Sequence, residues 1–581
     1  MSDLLVLKGN DVYNAFMTGA KNLIHIKTHL NKINVFPVPD GDTGSNMAYL
    51  MQTILDQAKP NDDLSVTMDS IAYAAMNGSR GNSGIIFSEY LNGLAEKLKG
   101  KASAKIEEFH EAVIHAIQKA YHAIMNPVEG TILTVLRKAF NHHDFKDVKS
   151  YFETSLTLAK SSLLETPNEL PILKESGVVD AGAEGFTAFL EGVTQYLQTG
   201  KTEFTYQEIT QDEAFAVVHE MVIEERFCTE AQLKDVKISN ESMISLLSKD
   251  GSSLIVSGDQ NNMRIHIHTN QPDVFFLKLR NVATVTNQKV DDMLRQKQAI
   301  EDITHKIAVV TDSIADIPLS LKDKYHIHMI PVYLMVDDYS YLDQISVTTR
   351  TFYHMISQAK HFSSSQPDKI TIERMMDFLL EHYEQILFVS VASKLSGTYN
   401  AINQYAEKHP QVTVFDSKLN SGAEGQLVLN AAMMAQEDMP LEEIISTLED
   451  QRKRTKIYVS VNTLKYMVKQ GRVSKVTGLA AKIMNLKPVI SLDKDGGGTI
   501  EAKALSLRSN EKKILELLSK GEIESYAVVH AMAEDRCLKL ADRIEKMTGK
   551  KPEYMTEIGP VLSMNAGLGA VAVSVLFKEE V

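Results

Sequence analysis

The sequence predicts a multidomain protein with an all-α N-terminal domain, a small α+β middle domain and an α/β C-terminal half. Its 581 residues are too many for one hydrophobic core. Apolar residues recur at helical spacing in the first third, whereas after residue 305 apolar β-branched runs alternate with helical stretches. These changes of pattern predict domains at residues 1–203, 204–304 and 305–581.

Individual elements can be placed within each part. Helical spacing places five apolar residues near one helical face close to the N-terminus: Val12, Phe16, Ala20, Leu23 and Leu30. In the middle domain, residues 215–218 and 263–268 predict strands and residues 272–279 predict a helix. In the C-terminal half, strands are predicted at residues 307–310, 386–391, 412–415, 526–530 and 570–576.

Composition predicts a cytoplasmic protein that binds no nucleic acid. The formal net charge is −14 and no basic run stands out. The two cysteines, Cys228 and Cys537, form no disulfide framework. The N-terminus lacks the regions of a signal peptide, and the longest apolar run, at residues 566–577, is too short to cross a membrane. Lipid contact is therefore expected only through a bound ligand or at the surface.

Residues 34–47, NVFPVPDGDTGSNM, carry the strongest chemical signal. Asp40 and Asp42 lie one glycine apart in a loop too rich in proline and glycine for regular structure. Mg²⁺ is often held by one or two carboxylates together with substrate phosphates, and the glycine lets both carboxylates converge. Thr43 or Ser45 is expected to cap the following helix, whose N-terminus favours anions. A plain Asp-Gly turn is the alternative.

Residues 77–84, NGSRGNSG, follow as a second polar loop. Its glycines, serines and asparagines can offer backbone N–H groups and hydroxyls to phosphate oxygens. Arg80 can neutralise charge that develops during phosphoryl transfer. A surface arginine that closes a loop is the alternative for this residue.

These two segments, with PVEGT at 127–131 and GVVDAG at 177–182, resemble in order the ATP-binding domain of the dihydroxyacetone kinase family. They resemble in particular the ATP-binding subunit of bacterial fatty acid kinase. The resemblance covers about residues 1–200 and implies a helical barrel whose mouth holds Mg-ATP. Asn34 stands where the family has a third aspartate. The resemblance implies catalytic roles for Asp40, Asp42 and Arg80, and nucleotide contacts at Asn34, Thr43, Ser45, Asn46, Ser83, Gly84, Thr131 and Asp180.

A cysteine and two histidines form a candidate metal site in the middle domain. His266 and His268 share one face of a predicted strand, and Cys228 lies on another. Zinc accepts a thiolate with two imidazoles, although strand histidines also occur as ordinary polar residues. The strings FCTE at 227–230 and HIHTN at 266–270 resemble the middle domain of the same fatty acid kinase protein, which implies zinc binding and dimerisation.

Hydroxyl-rich loops mark the C-terminal half. Ser396 and Gly397 open a helix after a predicted strand, and Ser364 lies in the loop FSSSQP. Ligands bind beyond the carboxyl ends of strands in open α/β sheets, although a helix cap explains Ser396 equally well.

These loops, with TDS at 311–313, GRVSK at 471–475 and NLKP at 485–488, resemble the DegV family of fatty-acid-binding proteins. The resemblance covers about residues 306–581. It implies an acyl chain in an apolar tunnel, with its carboxylate held by Ser364, Ser396, Gly397 and a histidine. Asn565 takes the place of that histidine, so this sequence departs from the family pattern.

The sequence thus predicts an ATP-dependent fatty acid kinase that forms an acyl phosphate, with ATP and Mg²⁺ as cofactors and zinc in the middle domain. Its expected partners are a fatty acid, an acyltransferase that accepts the acyl phosphate, and a second copy of the chain. The alternative is a lipid-binding or regulatory protein, which Asn565 favours and the intact aspartate loop opposes. A glycerone-type kinase is a third interpretation, but it needs a domain that holds the sugar on a histidine, and the sequence offers no such segment.

Overall fold

The computed structural model describes residues 6–143, 146–202, 223–301, 305–356, 359–471 and 487–581. The chain divides into two compact units, Met1–Lys297 and Gln298–Val581. The strand predicted at 215–218 lies outside the described residues, as do residues 472–475 and 485–486 of two DegV-like motifs.

The first unit opens with a helical domain, as predicted. On its first helix, Val12, Phe16, Ala20 and Leu23 are buried at intervals of three or four residues, and this face packs along the last helix of the domain. The described elements are β1 (Val6–Lys8), α1 (Gly9–His25), α2 (Lys27–Lys32), α3 (Thr43–Gln57), α4 (Leu64–Gly78), α5 (Gly81–Leu98), β2 (Ser103–Lys105), α6 (Ile106–His122), α7 (Ile132–Ala139), α8 (Val148–Glu169), α9 (Pro171–Ser176) and α10 (Ala181–Thr199).

A small sheet domain follows. Its four strands are antiparallel in the order β4-β5-β3-β6. The strand predicted at 263–268 and the helix predicted at 272–279 are confirmed. The elements are β3 (Phe227–Lys234), α11 (Asn240–Leu247), β4 (Ser252–Gly258), β5 (Met263–Thr269), α12 (Pro272–Val282), β6 (Thr284–Asp292) and α13 (Met293–Glu301).

The register of this sheet gathers polar residues on one face. Residues opposite each other on β5, β3 and β6 form rows, and residues two apart on a strand share a face. Two neighbouring rows contain His268, Cys228 and Asp291 in one and His266, Glu230 and Lys289 in the next.

This polar face packs on the helical domain. Arg264, one row further along, donates from Nε to the carbonyl of Met76 at 3.0 Å and from Nη2 to the carbonyl of Asn77 at 2.7 Å. The backbone N–H of Gly81 donates to Glu230 Oε1 at 2.7 Å. The middle domain therefore adds side chains to the junction of α4 and α5. The polar segment 77–84 spans this junction, and only Ser79 and Arg80 of it lie between the two helices.

The second unit is α/β, with every predicted strand present. Its elements are β7 (Ile307–Asp312), α14 (Leu319–Lys324), β8 (His328–Ile330), β9 (Tyr333–Val336), β10 (Tyr339–Leu342), α15 (Thr349–Ile356), β11 (Phe362–Ser365), α16 (Lys369–His382), β12 (Gln385–Ser390), α17 (Thr398–Ala406), β13 (Val412–Asp416), α18 (Ser421–Gln436), α19 (Leu441–Arg454), β14 (Thr455–Ser460), α20 (Lys465–Lys469), β15 (Val489–Leu492), β16 (Gly498–Ala502), α21 (Leu507–Leu518), β17 (Ile523–His530), α22 (Glu534–Thr548), β18 (Met555–Glu557), α23 (Pro560–Ala566) and β19 (Val571–Phe577).

The described strands of this unit divide among three sheets, a division that the sequence pattern does not reveal. One sheet is parallel in the order β13-β12-β7-β8, and a small antiparallel sheet has the order β10-β9-β11. The third, β16-β15-β14-β19-β17-β18, is antiparallel except for its last pair. Its central strand β19 is buried throughout, as its apolar sequence predicts.

Two buried aspartates fix the short helix α23. Asp316 Oδ1 accepts a hydrogen bond from Gly559 N, and Asp343 Oδ1 accepts one from Val561 N, each at 2.9 Å. Carboxylates are favourable at a helix N-terminus, and these two anchor the helix that carries Asn565. In the part of the chain that the structure describes, no helix is long and apolar enough to cross a membrane.

Candidate functional site

The aspartate loop brings two carboxylates together before α3. Asp40 is buried and accepts a hydrogen bond from Asn34 Nδ2 at 2.6 Å. Gly41 has a φ of +64°, a left-handed conformation that glycine adopts without strain. Burial raises the pKa of both Asp40 and Asp42, and the neighbouring Asp42 charge raises that of Asp40 further. A cation placed between the buried Asp40 and the partly exposed Asp42 would favour the ionised form of both, and carboxylate oxygens are the ligands that suit a hard cation.

The expectation that Thr43 or Ser45 caps α3 is wrong. The residue before this helix makes no side-chain cap. Thr43 Oγ1 donates to Asn34 Oδ1 at 2.8 Å, and Ser45 Oγ accepts from Asn31 Nδ2 at 2.9 Å. Both hydroxyls are engaged by asparagines that precede the loop. Because Asn34 bonds to Asp40 with one end of its amide and to Thr43 with the other, it positions the loop.

The N-termini of α3, α5 and α10 adjoin one another. A Cβ built on Gly81, the first residue of α5, would lie 2.5 Å from Nδ2 of Asn46 in the first turn of α3. A Cβ built on Gly182, at the start of α10, would lie 2.4 Å from Oγ of Ser83 in the first turn of α5. Asn46 therefore lies against the start of α5, and Ser83 lies against the start of α10.

A fourth helix N-terminus joins this group through Asp180. The Asp180 carboxylate caps α10 by accepting from Ala183 N at 2.7 Å, and it also accepts a backbone hydrogen bond from Ile132, the first residue of α7. Burial raises the pKa of Asp180 to about 7. Thr131 directly precedes α7 and donates from Oγ1 to the carbonyl of Val128 at 2.8 Å. The starts of α3, α5, α10 and α7 are thus linked in sequence by close contacts, and helix N-termini favour a bound anion such as phosphate.

Arg80 is held at the junction of α3 and α5. Its guanidinium lies over the ring of Tyr49 on α3, with Cζ 3.4 Å from the ring centre. A stacked guanidinium keeps its charge and its in-plane donors. Stacking therefore fixes a permanent cation beside the helix N-termini.

Three middle-domain residues that the sequence did not predict complete the polar cluster. Lys289 is buried, with Nζ 2.8 Å from Asp291 Oδ2 and 3.7 Å from both Asp42 Oδ2 and Glu230 Oε1. Burial opposes its charge, but these carboxylates raise the pKa of Lys289 above its ordinary value. Burial likewise opposes ionisation of Glu230, whereas Lys289 and His266 lower the pKa of that carboxyl. Glu230 could have been predicted from the sequence, because it lies two residues after Cys228 and therefore on the same strand face.

Replacing Lys289 by methionine should strengthen Mg²⁺ binding to the nucleotide-free protein by about tenfold. Two unit charges about 4 Å apart interact by about 4 kcal/mol at an effective dielectric constant near 20. If a third of that energy opposes Mg²⁺ binding, the Mg²⁺ affinity falls by about a factor of ten. The ammonium therefore competes with Mg²⁺ for Asp42. Calorimetric titration with Mg²⁺ measures the effect, and Lys278→Met, which breaks the pair with Asp250 in the same domain, is the control. Unchanged or weaker Mg²⁺ binding by folded K289M would contradict this role.

Cys228, His266 and His268 form a buried cluster beside Lys289 and Glu230. Their ligand atoms all lie within 4.8 Å of one another. His266 Nε2 is buried without a hydrogen-bond partner among the described residues, and Glu230 Oε1 lies 3.6 Å from His266 Nδ1. Burial lowers the pKa of His268 to about 3, so its imidazole is neutral, the form that binds a metal. This set of one sulfur and two nitrogens fits zinc.

The second unit contains an apolar cavity of about 210 Å³. Its wall includes Ile314 after the parallel sheet and Ile457, Val529 and Ala572 from the antiparallel sheet. Among the described residues, no lysine, arginine, aspartate or glutamate lines it. The cavity therefore favours an apolar ligand.

The structure brings the four predicted lipid-site residues, Ser364, Ser396, Gly397 and Asn565, to the lining of this one cavity. Ser396 Oγ also accepts a hydrogen bond from Thr398 N, at the first residue of α17, at 3.2 Å. Ser396 therefore both contacts the start of this helix and lines the cavity. Asn565 Nδ2 donates to the carbonyl of its own helix neighbour Val561 at 2.8 Å. One of the two N–H groups of the Asn565 amide is therefore engaged.

Comparison with family models divides the chain into three matched segments. Residues 37–195 match the DAK2 domain, and residues 224–300 match the FakA-like middle domain of fatty acid kinase. Residues 306–578 match the DegV family, whose members the family model describes as uncharacterised.

Similar proteins occur in several bacteria. An uncharacterised protein of Mycoplasma pneumoniae, the MG369 homolog, is 30% identical over 456 residues, which are 69% of this chain and 76% of that protein. An uncharacterised protein of Staphylococcus epidermidis is 30% identical over 342 residues, 53% of this chain and 62% of that protein. The DegV domain-containing protein CA_C1624 of Clostridium acetobutylicum is 30% identical over 280 residues, 47% of this chain and 99% of that protein.

Solved structures similar to this chain include two DegV proteins described as binding fatty acid. The protein from Thermus thermophilus is 26% identical with a TM-score of 0.44 and covers 47% of this chain and 99% of its own. The protein from Bacillus subtilis has the same identity and TM-score, 26% and 0.44, and covers 47% of this chain and 100% of its own. Its relatives and the matching family models show that the chain belongs to the DegV family and joins a DegV domain to a DAK2 domain and a FakA-like middle domain.

Proposed function

We propose that this protein is an ATP-dependent kinase that transfers phosphate to the carboxyl group of a fatty acid carried by its DegV domain. The observation that carries the proposal is the paired aspartate loop beside four neighbouring helix N-termini. Such a site suits a metal-bound polyphosphate. The matched middle domain, named for fatty acid kinase, supports the lipid substrate.

Each residue of the nucleotide site has a role in this proposal. Asp40 and Asp42 hold Mg²⁺, which supplies charge neutralisation to the phosphates. Asn46, Ser83 and Gly84 donate to phosphate oxygens at the helix N-termini, and Arg80 neutralises charge in the transition state. An ionised carboxylate acceptor needs no general base, so positioning carries most of the catalysis.

The remaining proposals concern the surroundings of the site. The helices of the first domain close into a barrel around the nucleotide, and Thr131 and Asp180 support it through the starts of α7 and α10. Zinc at Cys228, His266 and His268 stabilises the middle domain. The protein works in the cytoplasm as a homodimer and delivers acyl phosphate to an acyltransferase.

A second candidate function is a lipid-binding regulator whose kinase domain acts on another partner. Asn565 favours it, because its Nδ2 donates to Val561 O and it offers a carboxylate no cationic partner.

The test is an assay for acyl phosphate. Purified protein with Mg-ATP and a fatty acid should release ADP only when the acid is present, and hydroxylamine should trap the product as a hydroxamate. Omission of Mg²⁺ is the control. ADP release that is independent of the acid, with no hydroxamate, would overturn the kinase proposal and leave the regulator.

A further inference from the structure

Lys289 reaches the nucleotide site from the middle domain. It lies on β6, and its buried ammonium adjoins the aspartate loop, with Nζ 3.7 Å from Asp42 Oδ2. The same Nζ lies 3.5 Å from Oδ1 of Asn46, in the first turn of α3. Glu230, also 3.7 Å from Nζ, accepts the hydrogen bond from Gly81 N at the first residue of α5. The ammonium therefore adjoins both the aspartate loop and the starts of two helices.

The three N–H donors of this ammonium are only partly used by the described residues. Asp291 Oδ2 lies 2.8 Å from Nζ, within hydrogen-bond distance, whereas the 3.7 Å contacts to Asp42 and Glu230 are too long. The 3.5 Å contact to Asn46 is at the limit. Buried charges are stable when they are paired and hydrogen-bonded. Lys289 therefore has donor capacity for a further acceptor.

The charges around Lys289 explain when an anion can reach it. Asp42, Glu230 and Asp291 bring three carboxylates around one ammonium. Negative charge is thus in excess, and the region repels a polyphosphate until a divalent cation binds to Asp42. The bound cation offsets that excess and leaves the ammonium available to an anion.

Distance also places Lys289 near the outer phosphates of a bound nucleotide. Mg²⁺ binds oxygen at about 2.1 Å, so a phosphate oxygen that shares a metal with Asp42 comes within about 4 Å of that carboxylate. Lys289 Nζ lies at a similar distance from the same carboxylate. In phosphoryl transfer from ATP the metal binds the two outer phosphates. These are therefore the phosphates within reach of Lys289.

We propose that Lys289 binds the terminal phosphate of the nucleotide and gives the site its preference for a triphosphate over a diphosphate. The ammonium donates to a terminal phosphate oxygen, while its hydrogen bond to Asp291 holds Nζ in position. A lysine binds phosphate as a point charge. This inference rests on the proposed kinase function and makes the middle domain part of the nucleotide site.

Calorimetry of the full-length protein with Mg²⁺, and with either ADP or a non-hydrolysable ATP analogue, tests the contact. No fatty acid is needed. Wild-type protein should bind the ATP analogue at least about tenfold more tightly than ADP, the equivalent of one hydrogen bond to a charged group. Lys289→Met should bind the two nucleotides with nearly equal affinity. Their ratio is the informative quantity, because the stronger Mg²⁺ binding expected of K289M affects both nucleotides alike.

Lys278→Met is the matched control, since Lys278 pairs with Asp250 in the same domain and should leave the ratio unchanged. Glu230→Gln is a second variant that decides the question even if K289M does not fold. Glutamine keeps an oxygen that can accept from Gly81 N but loses the charge that attracts the ammonium. E230Q should therefore raise the preference for the ATP analogue about threefold, a small part of the interaction between unit charges about 4 Å apart.

A folded K289M that keeps the wild-type ratio would overturn the contact between Lys289 and the terminal phosphate. An unchanged or lower ratio in E230Q would overturn it too. Both results leave nucleotide binding, and with it the proposed function, in place. If neither nucleotide binds to the wild-type protein with Mg²⁺, the proposed function fails together with this inference.

Discussion

Replacing Asp42 by alanine should reduce phosphotransfer by more than about 100-fold, because loss of groups that merely orient metal ligands already costs about 10- to 100-fold. The helical fold should survive, since this carboxylate lies in a loop and its loss leaves no apolar cavity. Removing Asp42 also leaves Lys289 without one of its three carboxylate neighbours, while Glu230 and Asp291 still balance its charge.

The measurements are the acyl phosphate assay and ATP affinity with and without Mg²⁺. Wild-type protein should bind ATP tightly only with Mg²⁺, and D42A should lose that dependence. Asp56→Ala is the control, because Asp56 lies in the last turn of the same helix and accepts an exposed hydrogen bond from Gln52. If the wild-type protein binds ATP equally well with and without Mg²⁺, the aspartate loop does not hold the metal as proposed.

Removing the middle-domain metal should destabilise the protein strongly. Purified protein should contain about one zinc per chain, given one thiolate and two imidazoles in one cluster. Structural zinc contributes its binding energy to folding. If about 4 kcal/mol of that energy is lost, a domain of about 100 residues should melt about 20 °C lower.

Cys228→Ser is the variant, and metal analysis together with thermal melting is the measurement. Cys537→Ser is the matched control, since Cys537 is the other buried cysteine and its Sγ contacts the carbonyl of Val528 in the second unit. Only the Cys228 variant should lose zinc. A metal-free wild-type preparation that melts at the same temperature as the metal-bound one would refute a structural zinc.

Local chemistry made much of this protein predictable from its sequence. Helical spacing placed α1, and apolar β-branched runs placed the strands of the second unit, because burial of one face fixes these periods. The string from Pro39 to Met47 identified the aspartate pair, since few loops place two carboxylates one glycine apart before a helix. The Cys-His-His set was also predictable, because strand alternation puts His266 and His268 on one face.

Only the tertiary structure decided which groups surround those motifs. Lys289 reaches Asp42, with Glu230 and Asp291 beside it, because three strands pair in one register and pack on α4 and α5. Neither event leaves a local trace in the sequence. The contacts of Asn565 were likewise not predictable from the sequence. The sequence showed that an amide takes the place of a histidine, but only the structure decided that Asn565 Nδ2 donates to the carbonyl of Val561, since an amide can present either end.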